Sequence, residues 1–345
     1  RQLIRHQQLS EQRFQATIDQ PAETRDGFRV RLMANIGLLA DICAGLERGA
    51  EGVGLYRSEF PFMTHINFPS EEQQYHDYRQ LIESYYPRPV TIRTLDIGGD
   101  KPLPYFPFQE ENPGLGWRGI RFSLDNRPIF VTQLRAILRA SVGYDNLHIL
   151  LPMVSRVDEV TETLKLLVTA GEQLRQQGLS IDPPKLGIMV EVPAAITLLK
   201  FVAPYIDFVS VGSNDLSQYL LALDRNNARV ASRFDHLHPS VLHSLVTLMS
   251  EARQLKLKVC LCGERASEPL AVVLLLGMGL EELSMSSYNL PKIRYLIRNL
   301  ALSDAQHWLK TALQQDDERK IRQFLTGVLK QQQLDYLLSP GDSAE

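Results

Sequence analysis

The sequence predicts an α/β protein, a closed (β/α)8 barrel of eight parallel strands with an N-terminal linker helix and C-terminal helices. Three observations carry this. Short apolar runs alternate with longer stretches of helical periodicity over about 250 residues, as in a parallel sheet whose crossovers are helices. The alternation repeats eight times, which favours closure into a barrel of the TIM type. No G-x-G-x-x-G directly follows any strand, so the open doubly wound sheet is the weaker alternative.

Taken in order, residues 1–16 predict a polar helix and 19–27 a turn-rich stretch. Together 1–27 are expected to be a linker from an upstream part of a longer chain, an expectation that the absent initiator Met supports. The barrel is expected over 28–338. Its strands fall at 30–36, 54–56, 90–96, 148–154, 186–192, 208–212, 259–262 and 283–285. Helices between them include 71–85, 129–140, 157–177, 194–202, 241–256 and 269–277. Residues 303–337 read as helical and 339–345 as a disordered tail. The longest irregular span, 98–118, is rich in Pro and Gly, and a loop of that length after a barrel strand is more often functional than idle.

Composition narrows the function. Of 345 residues, 44% are hydrophobic and 22% charged, ordinary for a globular chain with a substantial core. A formal net charge of −3 gives no electrostatic footprint for nucleic acid or an acidic membrane surface. No apolar run approaches the roughly 18 residues needed to cross a bilayer, and the polar start lacks the apolar segment of a signal peptide. Cys43, Cys260 and Cys262 are too few for a disulfide scaffold and lack a second pair for zinc. A reducing, cytoplasmic compartment is expected.

The chemistry collects at the predicted strand ends. After the apolar run 208–212, Asn214 and Asp215 stand at a helix start, with Gln218 three residues on in the form of a capping box. A carboxylate and an amide at a helix N-terminus suit an anion with its metal ion. Arg57 follows the second strand, Arg93 lies in the third, and Arg118 closes the long loop. Glu191 lies at the end of the fifth strand, Arg225 follows the sixth and Cys262 ends the seventh. Arg93 and Glu191 sit among apolar neighbours, where an unpaired charge is costly; Arg93 needs Asp96 or a ligand. Arg57 has a blander reading, a surface pair with Glu59. His236 and His238 lack a third ligand nearby and read as structural. Cys260 and Cys262 share one strand face, where a buried thiol is usually an inert small hydrophobe. Arginines, two carboxylates and a thiol on one rim compose a site for a metal-bound phosphorylated anion.

The runs LYRSEFPFM, TIRTLDIGGDK, EENPGLGWRGIR, IMVEVPAA, SVGSNDLSQYLLALDRNN and CGE, in that order, resemble the PEP-utilising enzyme family. The likeness is greatest to the C-terminal PEP-binding barrel of the enzyme I group of the bacterial phosphoenolpyruvate-dependent phosphotransferase system. DRNNARV and LHPSVL look more like its nitrogen-related branch than its sugar branch. The resemblance implies that Arg57, Arg93 and Arg118 neutralise the phosphate of phosphoenolpyruvate (PEP) while Arg225 closes from the far side. Asn214 would position the substrate, Glu191 and Asp215 would hold Mg²⁺, and Cys262 would protonate the enolate to give pyruvate. It also implies a homodimer and a histidine acceptor on a separate N-terminal domain, which serves a histidine-containing, HPr-like phosphocarrier. No Gly-rich Ser/Thr-His motif surrounds any of the eight histidines, so the acceptor is expected outside this chain. Ser58, Ser213 and Ser217 replace the family's usual Thr. Arg265 and Ser267 depart from its usual small residues in the loop after Cys262. The same motifs would also suit the PEP-binding barrel of a dikinase or PEP synthase, or a regulatory module that senses PEP without turnover.

Overall fold

A computed structural model describes residues 11–338, apart from the side chain of Glu264. Eight parallel strands pair in chain order: β1 (Arg29–Ile36), β2 (Val53–Arg57), β3 (Val90–Arg93), β4 (Leu147–Leu151), β5 (Lys185–Val190), β6 (Phe208–Gly212), β7 (Lys258–Cys262) and β8 (Glu282–Met285). β8 pairs back onto β1, with Arg31 opposite Glu282 and Ala34 opposite Met285, and so closes the barrel. Helices follow the strands, as expected. A two-residue strand, Ala22–Glu23, runs antiparallel to the start of β1 inside the stretch expected to be only turns. Of the expected N-terminal helix, residues 11–15 are helical and 1–10 lie outside the described residues, as does the expected tail 339–345.

Alternation along each strand explains why the ring holds. Outward positions such as Val209 and Val211 on β6 or Leu186, Ile188 and Val190 on β5 belong to one large apolar cluster with the helices. Each such side chain buried contributes about 1.5–3 kcal/mol. Inward positions follow another rule. Leu55, Leu150, Met189 and Cys262 pack together with Phe208 inside the barrel, while its two mouths are polar. The inward residues at the carboxyl ends of the strands, and the loops beyond them, line a cavity of ≈ 410 Å³.

The span 98–118 is not a plain loop. Leu103 packs with Phe62, Leu95, Ile97 and Phe122, and Phe106 and Trp117 cover them, as a satellite core beside the barrel mouth. Gly98 pairs with Lys101 and Leu103 with Phe106 in isolated bridges. This cluster fixes the loop that carries Arg118.

Candidate active site

The upper cavity is lined by Arg57, Arg93, Glu191, Asn214, Asp215, Arg225 and Cys262. Seven of the eight residues expected from the sequence therefore meet in one place. Arg118 does not line it. It is fully buried behind the cavity wall and bonded there to carboxylates.

Those bonds form an alternating row of charges. Glu59 Oε1 accepts from Arg93 at 2.5 Å, and Arg93 lies 3.2 Å from Asp96. Asp96 takes both Nε and Nη2 of Arg118 at 3.2 Å. Arg118 reaches on to Asp215 at 3.2 Å, and Arg225 stands 3.4 Å from the other Asp215 oxygen. Lys101 adds a third cation to Asp96 at 3.1 Å. Burial alone would raise both aspartates, yet Arg93 and Arg118 hold Asp96 well below the usual carboxylate range. Arg118 and Arg225 likewise bring Asp215 below its ordinary value. Buried charges persist only when paired in this way.

Two groups are left out of the row. Arg57 has no ion pair among the described residues, because Glu59, its candidate surface partner, is buried and taken by Arg93. Its guanidinium lies over the Phe60 ring, 5.8 Å from the centroid. Glu191 receives the Met153 amide at 2.6 Å on Oε1, while its buried Oε2 has no hydrogen-bond partner. Burial, followed by repulsion from Asp215 and Asp96, pushes Glu191 up to about 8. A cation placed there would take the proton's part. Two nearby carboxylates suit Mg²⁺, which commonly binds one or two with substrate phosphate and keeps its waters. Gly212 leaves room for this arrangement, since a Cβ would sit 2.8 Å from Glu191 Oε2.

Helix α8 (Ser213–Leu221) begins directly after β6, so the turn at Gly212 delivers Ser213, Asn214 and Asp215 to the rim. The expected capping box is corrected here. Gly212 is the N-cap and no side chain caps the helix. Two arginines outcompete the backbone for Asp215, and Gln218 instead accepts from the Arg225 amide at 3.2 Å. Cys262 is buried against Ser210 and gives its thiol proton to the Val211 carbonyl at 3.4 Å. Burial pushes the thiol up, so it stays protonated. Gly263 turns the chain away at φ 115°, where a Cβ would run into the Ser213 hydroxyl. His236 meets Ser217 at 3.3 Å and His238 caps a helix through Ser240 N, which fits their structural reading.

Residues 11–302 match the family model described as PEP-utilising enzyme, PEP-binding domain. The chain belongs to this PEP-utilising family. It is 43% identical over 325 residues to the phosphoenolpyruvate-dependent phosphotransferase system protein of Salmonella typhimurium, covering 94% of this chain and 43% of that one. To the phosphoenolpyruvate-protein phosphotransferases of Haemophilus influenzae and Haloferax volcanii it is 44% and 42% identical. Those matches cover 92% and 88% of this chain, and 55% and 54% of theirs. The chain spans about half the length of the curated relatives it matches. No helix among the described residues is long and apolar enough to cross a membrane.

Within the PEP-utilising barrel, sequence reasoning missed Glu59 and Lys101. The sequence allowed Glu59 a surface pair with Arg57, two residues before it, but the two side chains diverge after the strand end and Glu59 turns inward to Arg93. Lys101 was visible in TIRTLDIGGDK, but only the bridge at Gly98 folds it back over Asp96.

Proposed function

We propose that this chain is the PEP-binding barrel of a phosphoenolpyruvate-protein phosphotransferase. It binds PEP with Mg²⁺, presents the phosphoryl group to a histidine on a separate domain, and protonates the remaining enolate to pyruvate. One observation carries the reading: among the described residues, the cavity holds an arginine without a carboxylate, Arg57, and a buried carboxylate oxygen without a donor, Glu191 Oε2. The first calls for an anion and the second for a cation. A phosphate with its metal ion satisfies both.

Phosphoryl transfer asks the protein mainly for positioning and charge. Arg57, Arg93 and Arg225 hold the phosphate through bidentate donors of permanent charge, and Asn214 orients the substrate from the start of α8. Glu191 and Asp215 would hold Mg²⁺, which supplies positive charge to the enolate and phosphate oxygens. Arg118 serves the site indirectly by holding Asp215 ionised and in place. Cys262, kept as a thiol by burial, gives its proton to the methylene carbon. The histidine acceptor, the phosphocarrier and a second copy of the barrel are the expected partners.

Calorimetric titration with PEP tests this. Binding should depend on Mg²⁺, disappear in Glu191→Ala, and weaken by roughly 10²-fold in Arg57→Ala, the scale of a lost charge-assisted contact. Mg²⁺-independent binding unchanged in both variants would overturn the assignment.

A further inference from the structure

The barrel interior is polar along one flank below the site. Ser210 on β6, Cys260 on β7 and Glu282 on β8 are register partners across three adjacent strands. Cys262 lies two residues beyond Cys260 and shares its face of the strand. Ser210 Oγ is 3.5 Å from Cys262 Sγ, and Cys260 stands next to Ser210 on one side and Glu282 on the other as their cross-strand neighbour. Cys262 faces the upper cavity, whereas Cys260 and Glu282 face a second cavity of ≈ 570 Å³ at the opposite mouth. Glu282 is also paired there with Arg31. Four side chains able to carry a proton thus line one flank between the two ends of the barrel, beside the apolar cluster of Leu55, Leu150, Met189 and Phe208.

This arrangement answers a need created by burial. A thiol that is 2% exposed is left as a buried thiolate once it has protonated the enolate. Refilling it from the upper cavity would bring water to the reacting carbon, which closed sites exclude. The lower cavity has room for many waters and lies on the side away from product.

We propose that Glu282, Cys260 and Ser210 form a proton relay that recharges Cys262 from the lower cavity. The inference rests on the reading of Cys262 as the acid. The Cys262 S–H bond breaks as the new C–H bond forms. Ser210 passes its hydroxyl proton to the Cys262 sulfur and takes one from Cys260. Cys260 takes its proton from the Glu282 carboxyl, and water in the lower cavity returns one to Glu282. One solvent proton is consumed per pyruvate, with no oxidation or reduction. Burial raises Cys260 well above the usual thiol range, so it rests as the thiol, and burial also raises Glu282 despite Arg31. Arg31 then steadies the carboxylate that forms during transfer.

Microscopic reversibility allows a test on this chain alone. Run backwards, the relay exchanges the methyl protons of pyruvate with D₂O, which proton NMR follows in the presence of Mg²⁺ and inorganic phosphate. Cys262→Ala should abolish exchange. Ser210→Ala and Cys260→Ala should each slow it by on the order of 10²-fold, with pyruvate binding by calorimetry and thermal stability near wild type. Cys260→Ser should restore most of the rate, because a hydroxyl can pass a proton and a methyl group cannot; a packing role would not separate the two. Wild-type exchange in both alanine variants, with Cys262→Ala silent, would overturn the relay and leave the acid in place. Unchanged exchange in Cys262→Ala, or a wild-type chain that binds pyruvate without exchanging, would overturn the relay together with the role of Cys262. Failure to bind either PEP or pyruvate would overturn the reading of the site itself.

Discussion

Arg265 shows what a single residue can cost. It departs from the family pattern, and the structure buries it with all three guanidinium nitrogens lacking a hydrogen-bond partner. Burial brings it down to about 10, although Glu268 and Asp235 pull the other way. Those two carboxylates are already bonded to Arg322 at 2.7 and 2.6 Å. An unpaired buried cation is destabilising where an apolar side chain of similar length is not. Arg265→Met should therefore raise stability by on the order of 1 kcal/mol or more, seen as a higher urea midpoint at constant slope. A lower midpoint would mean that the guanidinium has a stabilising role hidden from its contacts. The sequence marks Arg265 as a departure from the family pattern, but only the fold shows that it is buried without a partner.

At the scale of elements, local pattern and long-range packing divide the labour. Helix α10 (Pro269–Gly277) is apolar on every side, and all nine residues are buried. Its sequence therefore has no face to read, and its place against the C-terminal helix Leu302–Ala312 is decided by packing. Gly277 lets that helix approach closely, since a Cβ there would meet the Ala305 carbonyl oxygen. Leu274→Ala should cost about 2–5 kcal/mol in chemical unfolding; a change below about 1 kcal/mol would show that the surrounding layer collapses into the gap. Boundaries also differ in an instructive way. The third strand, expected over 90–96, ends its ladder at Arg93, because 94–96 turn into the rim to deliver Asp96. The helices Asp41–Glu47 and Glu59–Thr64, at seven and six residues, are too short for periodicity to separate them from loops.

At the scale of the whole molecule, the barrel keeps opposite chemistries at its two mouths. The upper one pairs its charges in a row, while the lower one gathers Arg31, His148, Lys185 and Lys258 around Asp207 and Glu282. Burial first, then Lys185, Arg31 and Lys258 against the pull of Asp207, depress His148 to about 4. The folded state thus prefers neutral imidazole. Its contribution to stability is complete above the unfolded value of 6.5 and is lost as pH falls through about 4. His148→Gln should accordingly flatten the decline of the melting temperature between these limits, measured as the difference from wild type. Parallel acid profiles would show that His148 titrates normally.

The sequence by itself determined the barrel, because eight alternations of apolar strand and helical stretch leave few other ways to bury both faces of a sheet. It also determined which residues stand at the strand ends, since a chain that enters a rim must place its polar groups there. Tertiary structure decided how they pair. Coulomb interaction and desolvation depend on distance and depth, so only the folded rim could bury Arg118 behind Asp215, leave Arg57 open, and strand one oxygen of Glu191. The line from Cys262 to Glu282 exists for the same reason: its members lie on three strands, and only the pairing of those strands in register brings them into one row.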